Sequence, residues 1–328
     1  MKLKFSLMEY GIIDKNSNSE FALQNISKIA KIAEKYNFES IWFSEHHSVN
    51  AFALSNPAFA MLEVANKTKK IKIGSAGFLL CHHSSYKIAE DIFTLNSLHE
   101  NRFKFAMGSN PGTEKVQKSM NTIVDYHNKF KQLLLYVRDK ENKFINEVKT
   151  IPFSNKSPDM YMLVSSVEGA IFAAENKLKI IYGFFLNHNW EIFENALKKY
   201  NEIWKAKYNE KANILFAINI IIKKSENQAK NLANVFSHFI LGKNEFNEFL
   251  HFPTLNEIKN YHYENDEEKT RVIDNLNKTI YGTETQVKEK ILKIAQKYNI
   301  NHFVACQLIS GYNERVKNLK SINKVFEL

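Results

Sequence analysis

The 328-residue chain is poor in cysteine, glycine, proline and arginine, and these shortages exclude several classes of protein. Its 2 cysteines, Cys81 and Cys306, are far apart in sequence, so they provide neither a disulfide framework nor a paired-cysteine motif. The 10 glycines form neither G-x-G-x-x-G nor G-x-x-x-x-G-K-[ST], the phosphate-binding patterns. The G-x-S-x-G and H-E-x-x-H patterns are also absent. We therefore expect no separate Rossmann site.

Long apolar runs are also missing. The longest predominantly apolar stretch, residues 214–222, has the length of a strand and falls well short of the roughly 18 residues that span a bilayer. The first residues carry no apolar segment typical of a secretion signal. The sequence therefore predicts a cytoplasmic protein that does not enter a membrane.

The shortage of arginine governs how the charge is interpreted. Lysine and arginine number 45 against 35 acidic residues, a net charge of +10, but the only arginines are Arg102, Arg138, Arg271 and Arg315. Recognition of bases and phosphates favours arginine, and the lysines are scattered along predicted helices. We interpret the charge as a solvated lysine-rich surface and expect no nucleic-acid partner; a basic binding surface is the alternative.

Short β-rich runs alternate with amphipathic helical stretches along the whole chain. Eight such alternations predict a parallel sheet closed into an α/β (β/α)8 TIM barrel, with residues 1–328 as a single domain; an open doubly wound sheet is the alternative. The polar segment 236–279 is predicted to be irregular, either a lid inserted after strand seven or structural padding. The predicted strands are 3–8, 39–44, 71–80, 103–108, 160–165, 179–186, 214–222 and 302–307. The predicted helices are 20–36 with Ser19 as N-cap, 57–67, 85–99, 122–140, 168–176, 190–207, one beginning at Ser225, 283–298 with a Thr283–Gln286 capping box, and 312–326.

Barrel enzymes place their chemistry in the loops that follow the strands. After strand two come Glu45, His46 and His47, titratable groups suited to acid/base work, although such a string also arises by chance. Side chains alternate along a strand, so the two adjacent histidines should point apart unless the strand has already ended.

Small residues follow the next three strands. Gly74-Ser75-Ala76-Gly77 would let a flat ligand approach the backbone, or would serve only to pack the barrel wall. A flexible polar turn, 108–113, follows strand four. Ser165 and Ser166 precede a helix and form either a phosphate site or a simple N-cap. His82 and His83 come shortly after strand three.

Taken in order, these segments resemble the bacterial luciferase-like flavin monooxygenases. ESIWFSEHH (39–47) is similar to the family's W-x-x-E-H-H strand end, and IKIGSAG (71–77) with LLCHHSSYKIAE (79–90) is similar to its third strand and following helix. LHENRFKFAMG (98–108) resembles L-x-x-G-R-x-x-x-G-x-G. NPGT (110–113), LVSS (163–166), AAE (173–175) and YGT (281–283) extend the resemblance over most of the chain.

The resemblance implies a barrel that binds FMN at its rim. Reduced flavin, supplied by a separate reductase, would react with oxygen to form a flavin hydroperoxide that oxidises a small organic substrate. It implies His46 as the acid/base group, Ser75, Ala76 and Gly77 at the flavin ring beside a non-prolyl cis peptide, and the phosphate near the remaining predicted site residues, Gly108, Ser109, Ser165 and Ser166. It also implies a homodimer formed through early helices such as 57–61, whose small and apolar residues would otherwise face the barrel.

Some positions depart from the family pattern. Ser109 stands where relatives commonly carry an arginine, which removes a charge-assisted phosphate contact. Val164 and Asn101 replace frequent glycines, Ser85 replaces a proline, and the segment 114–158 is short. The alternatives are therefore an F420-dependent oxidoreductase, a flavin-binding protein without turnover, and a metal-dependent hydrolase built on Glu45 and the neighbouring histidines.

Overall fold

A computed structural model describes residues 2–210 and 212–328. Among the described residues, no helix combines the length and the apolar character needed to cross a membrane. The strands are β1 (Lys4–Glu9), β2 (Ser40–Phe43), β3 (Lys72–Leu79), β4 (Phe103–Gly108), β5 (Met160–Val164), β6 (Lys179–Gly183), β7 (Ile214–Ile222), β8 (Thr279–Gly282) and β9 (His302–Cys306). The helices are α1 (Ser19–Lys35), α2 (Pro57–Lys67), α3 (Ser85–Leu98), α4 (Glu114–Ser119), α5 (Tyr126–Arg138), α6 (Val167–Glu175), α7 (Trp190–Tyr208), α8 (Glu226–Phe239), α9 (Leu255–Lys259), α10 (Asp266–Asn275), α11 (Glu284–Tyr298) and α12 (Tyr312–Phe326).

Eight of the strands close into a parallel barrel, as predicted. The hydrogen-bonded order runs from β1 through β6 in sequence, continues to β7 and β9, and returns to β1. The long strand β7 makes this possible because successive parts of it pair with β6, β9 and β8. Strand β8 therefore extends the sheet outside the barrel, and the sequence did not reveal it because its pairing depends on a distant strand.

Several predicted boundaries need correction. Asn18, not Ser19, is the N-cap of α1, because its side chain accepts a hydrogen bond from the Phe21 amide at 2.9 Å. The predicted helix 122–140 begins only at Tyr126, and the sixth strand ends at Gly183 rather than at residue 186. The segment 236–279 is not irregular: α8 continues to Phe239, and α9 and α10 follow. Helix α4 was missed. The capping box of Thr283 and the N-cap at Ser225 are confirmed.

Two apolar layers surround the barrel wall, because side chains alternate across each strand. In β1, Leu7 packs outward against the helices, and its neighbour Met8 points into the barrel interior. The interior contains Trp42, which is fully buried and meets the ring of Tyr161 edge-on at 5.1 Å. Burying side chains of this kind contributes about 1.5–3 kcal/mol each. One cavity lies at the amino ends of β3 to β5, where Lys104 and Asp159 line it, and another lies at the carboxyl ends of the strands, where barrel enzymes place their chemistry.

Gly74 provides the space that the Trp42 ring occupies. A Cβ at Gly74 would lie 2.3 Å from Trp42 Cε3, so the packing interpretation of this glycine is correct. We predict that Gly74→Ala lowers the free energy of unfolding by about 1–3 kcal/mol, because the overpacked ring must move. Urea unfolding followed by circular dichroism measures the change.

Gly169→Ala in α6 is the matched control. A Cβ there makes only ordinary contacts, 3.4 Å from Ser166 Oγ and Val164 Cγ1. Alanine favours a helix over glycine by roughly 0.5–1 kcal/mol, so this variant should be as stable as the natural chain or slightly more so. An unchanged stability of Gly74→Ala would contradict the close packing of the Trp42 ring on Gly74.

Candidate active site

A cavity of about 550 Å³ opens at the carboxyl ends of β1 to β5. Apolar side chains form much of its wall, including Met8 from β1 and Met162 from β5, and polar groups from the strand ends converge on it. Volume and lining are both typical of a site for a small organic ligand. The other lining residues that bear on the chemistry are Tyr10, His46, His47, His82, Val116, Phe185, Leu186, Glu245 and Phe246.

The structure brings the predicted site residues together, with one exception. His46, Ala76, Gly77, Gly108, Ser109, Ser165 and Ser166 all line this cavity. Ser75 does not line it: the hydroxyl of Ser75 lies in the barrel wall, donating to the Ala106 carbonyl at 3.0 Å and accepting from the Ala106 amide at 3.1 Å. The peptide between Ala76 and Gly77 is cis.

Gly77 serves both the wall and the cavity. It lines the cavity, yet a Cβ on it would lie 2.7 Å from the Gly108 amide nitrogen. Only glycine therefore allows β3 and β4 to approach this closely. Ala76 and Gly77, with a methyl group and no side chain, leave room for a planar ring at this part of the cavity.

The carboxylate of Glu45 organises the ends of β2 and β3. Its Oε1 accepts hydrogen bonds from His47 Nε2 at 2.8 Å and His83 Nε2 at 2.7 Å. Its Oε2 accepts from the Leu79 amide at 3.0 Å. Burial would raise the pKa of Glu45, but the hydrogen bonds from His47 and His83 outweigh it and hold the pKa at about 2. Glu45 is thus an ionised structural group at neutral pH.

His46 is turned away from this cluster. Its ring lies in a buried aromatic pocket, 4.7 Å from the ring of Phe52 and 5.7 Å from that of Tyr10. Its Nδ1 has no hydrogen-bond partner among the described residues. Burial lowers the pKa of His46 to about 4, so the imidazole is neutral at physiological pH. The expectation that His46 and His47 point apart is correct.

His82 is a second histidine with a ring nitrogen that has no partner among the described residues, and the sequence named it only as a candidate of the metal-dependent alternative. Its Nδ1 is 2.6 Å from Thr122 Oγ1, and its ring meets the edge of the His47 ring at 5.3 Å. Its Nε2 is buried and has no partner within the described part of the chain. Only the fold could show this, because Thr122 belongs to a loop 40 residues further along.

The serines after β5 begin α6. Ser166 Oγ accepts from the Gly169 amide at 3.1 Å, so the N-cap interpretation of Ser166 is correct. The Ser165 carbonyl accepts from Asn187 Nδ2 at 3.3 Å. Both serines line the cavity, and the first turn of α6 contributes its positive dipole end nearby.

A short turn from the segment after β7 covers the cavity mouth. Glu245 and Phe246 line the cavity from this turn, and Lys115 of α4 contacts Glu245 Oε2 at 3.2 Å. Asn247 ties the turn to the loop after β2, since its Nδ2 donates to the Ser48 carbonyl at 2.7 Å. The prediction that the segment after strand seven reaches the active face therefore holds for this turn.

No group of three or more histidine, cysteine, aspartate or glutamate side chains is arranged to hold a metal ion within residues 2–210 and 212–328. In the cluster at Glu45, the Nε2 atoms of both His47 and His83 are directed at one carboxylate oxygen.

The fold and the cavity together define a (β/α)8 barrel with a ligand site at the carboxyl ends of its strands. The sequence model of the luciferase-like monooxygenases matches residues 8–300. The chain belongs to this family, which confirms the family and the class of enzyme, a monooxygenase, predicted from the sequence.

Relatives match nearly the whole chain. YwcH of Bacillus subtilis (strain 168) is 26% identical over 334 residues, covering 99% of each chain. The N-acetyl-S-alkylcysteine monooxygenase of the same organism is 25% identical over 310 residues, covering 92% of each chain.

Solved structures share the fold. Apo-MsnO8 superposes with a TM-score of 0.87 at 20% identity, covering 100% of this chain and 98% of that chain. The oxygenating constituent of 3,6-diketocamphane monooxygenase from Pseudomonas putida, in complex with FMN, has a TM-score of 0.68 at 15% identity, with 99% and 98% covered. An F420-dependent secondary alcohol dehydrogenase with an F420-acetone adduct has a TM-score of 0.66 at 15% identity, with 99% of each chain covered.

The hydrogen bonds of Glu45 make it the most sensitive position of the site for stability. We predict that Glu45→Gln lowers the free energy of unfolding by about 1–3 kcal/mol at neutral pH, because the amide cannot satisfy both imidazoles and the Leu79 amide. Because the carboxylate pKa is depressed from 4.5 to about 2, its stabilisation is present above pH 4.5 and is lost as the pH falls towards 2. As the pH falls from 4.5 towards 2, the urea midpoint of Glu45→Gln should decrease less steeply than that of the natural chain.

Glu39→Gln provides the comparison. Glu39 forms an exposed ion pair with Lys4 at 3.4 Å, which contributes less than about 1 kcal/mol. Equal losses in the Glu39 and Glu45 variants would contradict the role given to Glu45.

Proposed function

We propose that the chain is an FMN-dependent monooxygenase that uses reduced flavin and O2 to oxidise a small organic substrate. The observation that carries the proposal is the cavity itself. It combines a wall of small residues at Ala76 and Gly77 with two imidazole nitrogens, His46 Nδ1 and His82 Nε2, that have no partner among the described residues, on the barrel rim of a luciferase-like monooxygenase.

The residues present fit a flavin. Ala76 and Gly77 offer a face without projecting side chains against which a planar ring can lie, and Met8 and Met162 supply apolar contacts nearby. Gly108, Ser109, Ser165 and Ser166 offer small or hydroxyl-bearing positions for a polar tail. The unpartnered nitrogens of His46 and His82 are the kind of buried polar atoms that a ligand satisfies. The FMN complex of a structural neighbour with the same fold supports this placement.

The bound reduced flavin would supply the electrons for oxygen activation. The chain's own contribution is to hold the ring, to exclude water with Phe185, Leu186 and Phe246, and to accept a proton at His46. Because burial lowers the pKa of His46 to about 4, its imidazole is neutral at physiological pH, so it can accept a proton and does not act as an imidazolium acid. Ser75 would not contact the flavin; its hydroxyl links β3 to β4 and so holds Ala76 and Gly77 in place.

The remaining proposals concern partners and setting. We propose that a separate reductase supplies reduced FMN, that residues 1–328 form one domain in the cytoplasm, and that the chain forms a homodimer without nucleic-acid or membrane partners. Helix α2 supports the dimer in part: Ala60 and Met61 are buried against the barrel, but Phe59 is 72% exposed.

His46→Ala tests the proposed chemistry. We predict that it lowers flavin-dependent turnover by about 100-fold or more, the lower end of the range for loss of an acid/base group. The affinity for reduced FMN should change less than threefold, because the ring wall is untouched. Oxygen consumption with reduced FMN and a panel of thioethers, aldehydes and ketones measures turnover, and an anaerobic titration measures binding.

His262→Ala is the control, since His262 is exposed and does not line the cavity. Equal loss of binding and turnover in His46→Ala would contradict the base role. Tight flavin binding without oxygen consumption in the natural chain would favour a binding protein. Binding of F420 in preference to FMN would favour the other cofactor, which a structural neighbour uses.

A further inference from the structure

His82 is held more firmly than a surface histidine. It ends the single 3-10 turn, Leu80–His82, that follows β3. Its Nδ1 is fixed by Thr122 Oγ1 at 2.6 Å, and the His47 ring stands perpendicular to it at an interplanar angle of 89°. The ring orientation is therefore set from two sides, and Nε2 is left buried and unpartnered. An oriented imidazole with one free nitrogen is a binding group rather than a packing residue.

The free nitrogen lies beside the loop after β4. A Cβ on Gly112 would be 3.7 Å from His82 Nε2, and Cys81 Sγ is 3.7 Å from the Ser109 carbonyl. Glycine at 112 thus keeps the approach to Nε2 open. Ser109 and Thr113 line the same cavity, and its acidic lining residues are Glu45, which is bonded to His47 and His83, and Glu245, which is paired with Lys115.

We infer that His82 is a specificity-determining residue that donates a hydrogen bond from Nε2 to the anionic phosphate end of the flavin. The inference rests on the proposed function. His82 Nδ1 is paired with Thr122 Oγ1, so Nε2 is the nitrogen that can contact the flavin. Nε2 can donate to a phosphate oxygen in two forms of the ring: the neutral tautomer that carries its hydrogen on Nε2, and the imidazolium. The charged form donates more strongly, because both partners of the hydrogen bond are then ionised.

The surroundings of His82 make this contact dependent on pH. In the protein without ligand, burial lowers the pKa of His82, and the nearby His47 lowers it further. Glu45 acts in the opposite direction, while His83 and Lys129 of α5 add smaller lowering effects. A bound phosphate dianion favours the imidazolium, so binding takes up a proton. The affinity for FMN should therefore fall as the pH rises, whereas the affinity for riboflavin, which lacks the phosphate, should not.

The test compares reduced FMN with reduced riboflavin, titrated anaerobically and followed by quenching of protein fluorescence at pH 6.5 and pH 8.5. In the natural chain, FMN should bind more tightly than riboflavin, with the larger ratio at pH 6.5. His82→Gln keeps a neutral amide donor and loses the charge, so at pH 6.5 it should weaken FMN about 5- to 10-fold, the difference between a charged and a neutral hydrogen bond, and should leave riboflavin within about threefold. In this variant, the affinity for FMN should depend on pH only through the ionisation of the phosphate itself.

Two further variants keep the test decisive. His99→Gln changes a histidine at the end of α3 that bonds to Asn66 and does not line the cavity, and should leave the FMN-to-riboflavin ratio unchanged. Thr122→Val keeps the His82 imidazole but removes the hydrogen bond that orients it. This variant should lower the FMN-to-riboflavin affinity ratio in part, and it provides a test even if His82→Gln does not fold.

The outcomes separate the two proposals. Equal weakening of both flavins in His82→Gln, or an unchanged ratio in both His82→Gln and Thr122→Val, overturns the role of His82 and leaves the flavin proposal intact. If the natural chain binds neither FMN nor riboflavin, the proposed function fails, and the role of His82 fails with it.

Discussion

The buried carboxylate of Glu45 is the group on which the rest of the site depends. An ion withdrawn from water is costly unless every lone pair finds a donor, and here the imidazoles of His47 and His83 and the Leu79 amide provide them. These contacts join the chain leaving β2 to the chain leaving β3. They fix the direction in which each loop continues, and so they decide which side chains face the cavity.

The two histidines with free nitrogens follow from this arrangement. His46 comes directly after Glu45, so its ring is directed into the pocket of Tyr10 and Phe52, where it loses its charge. His82 lies next to His83 in the sequence, and its ring contacts the His47 ring edge-on. Glu45 accepts a hydrogen bond from each of these two neighbours, His47 and His83. One carboxylate thus positions one neutral imidazole deep in the cavity and a second at the loop after β4. A ring system with a polar tail is the kind of ligand that would use both.

Much of the fold could be predicted from the sequence, because alternating strand and helix patterns are local. The barrel closure and most strand positions followed from that alternation, and the order of rim motifs indicated the family. Strand β8 and the helices within 236–279 could not be predicted, since their stability comes from packing against β7 and α8 rather than from their own polar sequences. The direction of the Ser75 hydroxyl is of the same kind: it depends on the register between β3 and β4. His82 shows the limit most clearly, because its orientation is set by a threonine on another loop.

The proposed function depends on whether this cavity binds a flavin. The absorbance spectrum of FMN, oxidised and then reduced, recorded alone and with increasing amounts of the purified protein, tests this. If the cavity binds a flavin, the flavin bands shift when protein is added, and the shift saturates at one flavin per chain at micromolar concentrations of the reduced form. Spectra that remain the sum of free flavin and protein in both redox states would contradict it.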